Sequence, residues 1–90
     1  MLEAVQQTGF KKDIKRLKNS GRHDLELLKN IVLKLCMEKE LDTKHHDHYL
    51  SGNWNGYKEC HITPDWLLIY RIKGSRLELA RTGSHSELFE

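Results

Sequence analysis

The apolar residues of this chain change their spacing once, and that switch limits the folds open to it. Up to residue 36 they recur every three or four positions, as Phe10, Ile14 and Leu17, then Leu25, Leu28, Ile31, Val32, Leu35 and Cys36. This one-faced pattern belongs to amphipathic helices. From Tyr57 onward they crowd into three runs, Tyr57 to Thr63, Trp66 to Ile72 and Arg76 to Thr82, each broken by turn residues, the pattern of strands. A helix pair followed by consecutive strands makes an α+β chain, in which an N-terminal helical hairpin covers one face of an antiparallel sheet.

Local signals fix the boundaries. Ser20 and Gly21 end the first helix, glycine supplying the left-handed cap, and Asp24 caps the second. Leu2 to Gln6 reads as a short first strand. Pro64 in Thr63-Pro64-Asp65-Trp66 stands where a type I turn favours proline, and Gly74 in Lys73-Gly74-Ser75-Arg76 serves the next reversal, so the strands form a meander. Ser84 and Glu87 have capping-box spacing and start a terminal helical turn. Residues 40 to 55 lose periodicity and are rich in His, Asp, Gly and Asn; they read as a long loop, which in a small domain is usually functional.

Ninety residues suffice for one domain, spanning 1–90, and leave no room for a cofactor domain. No apolar run approaches the roughly 20 residues that cross a bilayer, so a cytoplasmic protein without membrane contact or cofactor is expected. Cys36 and Cys60 lie in different elements among apolar neighbours and read as reduced core thiols. The net charge of +2 hides an asymmetry: between residues 10 and 22, Lys11, Lys12, Lys15, Arg16, Lys18 and Arg22 face only Asp13, whereas five of the six histidines lie at or beyond position 45. Lys11, Lys15 and Lys18 form one helical row and Lys12 and Arg16 the next. A solvated face would need no such excess of cations, which suits contact with RNA phosphates.

The two turns also set a register. With two-residue loops, Thr63 pairs with Trp66, His61 with Leu68, Ile72 with Leu77 and Leu68 with Arg81. His61 and Arg81 then flank Leu68 on one face, backbones roughly 10 Å apart, while Cys60, Ile62, Leu67 and Ile69 turn toward the helices. A single bulge would move Arg81 to the other side. Histidine titrates near neutral pH, about 6.5, and arginine grips phosphate through two donors. RNA carries its own nucleophile, the 2′-hydroxyl, so a base, an acid and a cation suffice to cut it. Adjacent His45, His46, Asp47 and His48 seldom converge on one ion, and no matching pair stands at ligand spacing, so no metal is expected. Trp54 suits either packing under the loop or stacking on a base; Tyr70 reads as core.

Three runs carry a resemblance over nearly the whole chain: Asp47-His48-Tyr49-Leu50-Ser51-Gly52-Asn53-Trp54, the stretch from Tyr57 to Tyr70, and Arg81-Thr82-Gly83-Ser84-His85-Ser86-Glu87-Leu88-Phe89. The sequence resembles the YafQ branch of the RelE/ParE toxin superfamily. The resemblance implies the RelE-like fold, a helical hairpin on a twisted antiparallel sheet, and a type II toxin–antitoxin toxin that cleaves mRNA on the 70S ribosome and is neutralised by a cognate antitoxin. It puts catalytic groups at His48, His61, Asp65, Arg81 and His85, substrate-binding aromatics at Trp66 and Phe89, and ribosomal RNA docking at Lys11, Lys12, Lys15, Arg16 and Lys18. Tyr49 stands where the family usually has proline, and Glu90 adds a negative charge where many relatives stop. On this pattern Asp65 or His48 takes the 2′-hydroxyl proton, Arg81 stabilises the phosphorane, His85 protonates the leaving oxygen and His61 orients the phosphate. Two other readings compete: a noncatalytic ParE-like topoisomerase inhibitor, which has no need of that residue set, and a plain RNA-binding module.

Overall fold

The computed structural model describes residues 1–89; Glu90, with its added charge, lies outside them. The chain runs β1 (Glu3–Gln6), α1 (Thr8–Ser20), α2 (Leu25–Cys36), β2 (His48–Tyr49), β3 (Lys58–Thr63), β4 (Trp66–Lys73), β5 (Arg76–Gly83) and α3 (His85–Phe89). Both helix boundaries follow the sequence signals. Gly21 closes α1 at φ 67°, and the Asp24 carboxylate accepts the Glu26 N–H at 3.0 Å to open α2.

The sheet order is β1-β5-β4-β3-β2. Four strands run antiparallel, but β1 lies parallel to β5, with Glu3 opposite Arg76 and Gln6 opposite Leu79. The sheet is therefore mixed rather than antiparallel throughout. β1 has no hairpin partner, and the intervening helices supply the long crossover that a parallel neighbour requires. The expected loop before Tyr57 also contains more order: 3-10 turns at Thr43–His45 and Gly52–Trp54 bracket β2, which adds His48 and Tyr49 to the edge of β3.

β4 is the middle strand, and Trp66 through Tyr70 are buried without interruption, as a strand covered on both faces must be. On one side Cys60, Ile62, Trp66, Leu68, Tyr70 and Leu79 pack with Phe10, Leu17, Leu28, Ile31 and Leu35 of the helices. On the other, Leu67, Ile69 and Ala80 pack with Leu88 of α3 and with Leu50, Trp54 and Tyr57. The two cysteines are free and buried, and burial pushes the Cys60 thiol up to about 12.

Two bulges alter the expected register. An irregularity between His61 and Thr63 sets His61 opposite Leu67 instead of Leu68, and a second, between Ile69 and Tyr70, sets Arg81 opposite Ile69. Leu67 and Ile69 accordingly face away from the helices, and Leu68 and Tyr70 take the helix side. Each bulge shifts one strand by one residue against β4. The shifts cancel, so His61 and Arg81 still share a face by register.

Candidate active site

The register lines up two rows across the face opposite the helices. In the first, His48 stands opposite Glu59, Glu59 opposite Ile69 and Ile69 opposite Arg81; in the second, His61 stands opposite Leu67 and Leu67 opposite Gly83, which leads into α3 and His85. With strands spaced about 4.8 Å, the backbones at Glu59 and Arg81 lie roughly 10 Å apart across the sheet.

Glu59 is the residue that the sequence reading missed. It is buried, at 7% exposure, and its Oε2 receives both histidines: His48 Nε2 at 3.2 Å and His61 Nε2 at 3.9 Å. The other ring nitrogens face carbonyl oxygens, His48 Nδ1 that of His46 at 2.5 Å and His61 Nδ1 that of Pro64 at 3.3 Å. A carbonyl only accepts, so each Nδ1 carries a hydrogen. A neutral imidazole would then aim a lone pair from Nε2 at the carboxylate. Glu59 Oε2 stands beside both Nε2 atoms, so a positive charge gained by either imidazole would have a carboxylate next to it. Glu59 stands two residues before His61, on the same face by strand alternation; that spacing was the available signal. Below this cluster the buried His45 faces the His61 carbonyl through Nδ1 at 2.6 Å, and Tyr70 Oη donates to Asp47 at 2.5 Å.

Arg81 turns to the edge of the sheet that β1 leaves uncovered. Its Nε and Nη2 donate to Asp13 of α1 at 2.6 and 3.1 Å, a two-point fork. The same carboxylate accepts Arg16 Nη1 at 3.0 Å and the Thr82 N–H at 3.0 Å. Burial alone would raise the Asp13 carboxyl, but the hydrogen bonds from Arg81 and Thr82 outweigh it and hold it below the usual carboxylate range. Asp13 is 2% exposed, the setting in which an ion pair needs full hydrogen bonding to be tolerated. Arg16 continues from Asp13 to the Thr82 carbonyl at 3.4 Å and to Glu87 at 3.3 Å. Glu87 closes the capping box foreseen for α3: its carboxylate accepts the Ser84 N–H at 2.8 Å, and Ser84 Oγ accepts the Glu87 N–H at 3.2 Å.

The remaining expected residues fall around these two centres. Asp65 occupies the β3–β4 turn and lines a cleft of about 430 Å³ with Arg22, His23, Ser84, Ser86 and Glu87. His85 opens α3, its ring 4.9 Å from that of Phe89. Phe89 is 36% exposed and borders a groove shared with Leu50, Ser51, Asn53 and Trp54. Trp66, expected to bind substrate, is instead buried at 2%, with Nε1 donating to Thr82 Oγ1 at 2.9 Å and His23 edge-on at 4.8 Å. As the first residue of the central strand it falls on the helix side, where it holds the residue next to Arg81 instead of offering an open ring. Lys11, Lys12, Lys15 and Lys18 are exposed and, among the described residues, make no ion pair. Arg16 differs from them, being committed to the Asp13 and Glu87 network.

A family model described as the bacterial toxin of type II toxin–antitoxin systems, YafQ, matches residues 2–90. The chain belongs to the YafQ family. The mRNA interferase toxin YafQ of Escherichia coli (strain K12) is 37% identical over 81 residues, 89% of this chain and 87% of that protein. A metal-bound toxin from Helicobacter pylori superposes with a TM-score of 0.91 at 45% identity, covering 99% of this chain and 100% of the other. YafQ from the E. coli DinJ-YafQ complex superposes with a TM-score of 0.88 at 33% identity, covering 100% of both chains. The helical layer over a five-stranded sheet is thus the YafQ fold, as the three sequence runs implied. Among the described residues no group of three His, Cys, Asp or Glu side chains is arranged to hold a metal ion.

Proposed function

We propose that this chain is the toxin of a type II toxin–antitoxin system, an endoribonuclease that cuts mRNA on translating ribosomes by attack of the RNA's own 2′-hydroxyl. The observation that carries the reading is the shared sheet face: a His48–Glu59–His61 cluster stands in register with Arg81, and α3 begins with His85 just beyond the second row. In the proposed reaction the cluster takes the 2′-hydroxyl proton at His48, with Glu59 balancing the charge on the imidazole. The freed oxygen attacks phosphorus in line, Arg81 stabilises the charged phosphorane, and His85 gives a proton to the departing 5′-oxygen. One phosphorus–oxygen bond forms as the other breaks, leaving a 2′,3′-cyclic phosphate and a 5′-hydroxyl. His61 orients the phosphate, Asp65 is the alternative proton acceptor from its turn, and Phe89 stacks on a neighbouring base.

The lysine row of α1 lies on the helix layer, away from this face, which suits a toxin that grips ribosomal RNA with one side and message with the other. A cognate antitoxin is the proposed protein partner, as DinJ is for the E. coli relative, and the cytoplasm, where ribosomes translate, the proposed location.

Expression of wild type, His48→Ala and His85→Ala in cells, followed by mapping of mRNA 5′ ends, tests the reading. New 5′-hydroxyl ends with wild type, absent with either variant and absent when translation is blocked, support it. Cleavage by His85→Ala at the wild-type rate would remove His85 as the acid, and no new ends with wild type would remove the nuclease.

A further inference from the structure

We propose that Asp13, outside the residues matched to the family's active-site motif, is a positioning residue that aims Arg81 at the scissile phosphate. The inference rests on the reading of Arg81 as the phosphate-binding group. A guanidinium has five N–H donors on a rigid plane. Asp13 occupies the Nε and Nη2 hydrogens on one edge, and among the described residues Nη1 has no hydrogen-bond partner. The end of the plane carrying both Nη1 hydrogens and the second Nη2 hydrogen therefore stays free for a second two-point contact, and phosphate oxygens fit that fork.

The carboxylate is itself held. Its oxygens accept Arg16 and the Thr82 N–H besides Arg81, and Thr82 adjoins Arg81 on β5. The aim of the guanidinium is thus referenced to the strand that carries it. Gly9, one turn before Asp13 on α1, completes the seat: a Cβ at this position would stand 2.7 Å from Arg81 Cδ and 3.3 Å from the Ala80 carbonyl oxygen. The stem of Arg81 passes over a bare helix position before its head reaches the acid. Arg16 extends the same carboxylate to Glu87 and so to α3, so one acid on α1 references both Arg81 and the helix that opens with His85.

A double-mutant cycle tests this. Cleavage of message on programmed ribosomes is measured for wild type, Asp13→Asn, Arg81→Ala and the double variant, with thermal melting of each. The expected result is a loss of about 10²-fold in kcat for Asp13→Asn with KM little changed, and a further loss of less than about threefold when Asp13→Asn is added to Arg81→Ala. Equal losses in both backgrounds, or a wild-type kcat for Asp13→Asn, would overturn the proposal. If Arg81→Ala itself cleaved normally, the assignment of Arg81 would fail first, a distinct outcome. Should Asp13→Asn not fold, arginine-selective NMR of the wild type decides. A separate, slowly exchanging Nε–H signal, absent in Arg81→Lys, supports the fixed guanidinium, and a signal averaged with those of exposed arginines overturns it.

Discussion

Glu59 sets function against stability within one side chain. Its Oε1 is buried and, among the described residues, has no hydrogen-bond partner, and a buried carboxylate without full pairing is costly to fold around. Glu59→Gln is expected to retain or raise the melting temperature while lowering cleavage by about tenfold or more, because the amide balances no positive charge on His48. Thermal melts and single-turnover cleavage on ribosomes check both halves; an unchanged rate would reduce Glu59 to a packing residue. Gly9→Ala is the counterpart on α1. It crowds Arg81 Cδ and so is expected to depress cleavage by about tenfold or more through a displaced guanidinium, while the Arg81→Ala background feels the same change little. Assay of both backgrounds side by side separates this from a general loss of fold.

Among the elements, α1 presents its exposed lysines on one side and Asp13 on the other. Neutralising Lys11, Lys12 and Lys15 together is expected to weaken ribosome binding and flatten its dependence on salt, since each phosphate contact adds to that slope; binding measured across a salt series decides it. The two helices, their caps, the Pro64 and Gly74 turns and the α3 capping box were all legible in the sequence, because each rests on contacts within a few residues. The placement of His48 and the partners of Arg81 were not. β2 is two residues long, too short for alternation to register, and exists only because β3 offers it an edge. Each bulge leaves no mark in apolar spacing, so Leu67 and Ile69 were assigned to the wrong layer, yet the His61 and Arg81 face survived because both neighbours of β4 slipped alike. Asp13 looked like a stray acid in a basic helix; only the folded sheet brings Arg81, Arg16 and Thr82 around it.

The molecule as a whole is tied across its layers by that same acid, which gives it a specific sensitivity to low pH. Asp13 is held below the ordinary carboxylate range in the folded state. The unfolded chain therefore takes up a proton first as pH falls below about 4, and the stability that Asp13 contributes at neutral pH is lost from there down through its native value. Melting temperature followed from pH 6 to pH 2 is expected to fall less steeply in Asp13→Asn than in wild type; parallel curves would remove Asp13 as a source of acid lability. The parallel pairing of Glu3 with Arg76 bears on a different moment, that of synthesis. A nascent chain can form α1 and α2 early, but β1 has no neighbour until residues 76–79 have been made, and such distant pairings are slow to close. Arg81 and His85 follow still later. The growing polypeptide therefore lacks the proposed site until its last stretch emerges, and it acquires its sheet and the residues of the proposed chemistry at nearly the same time.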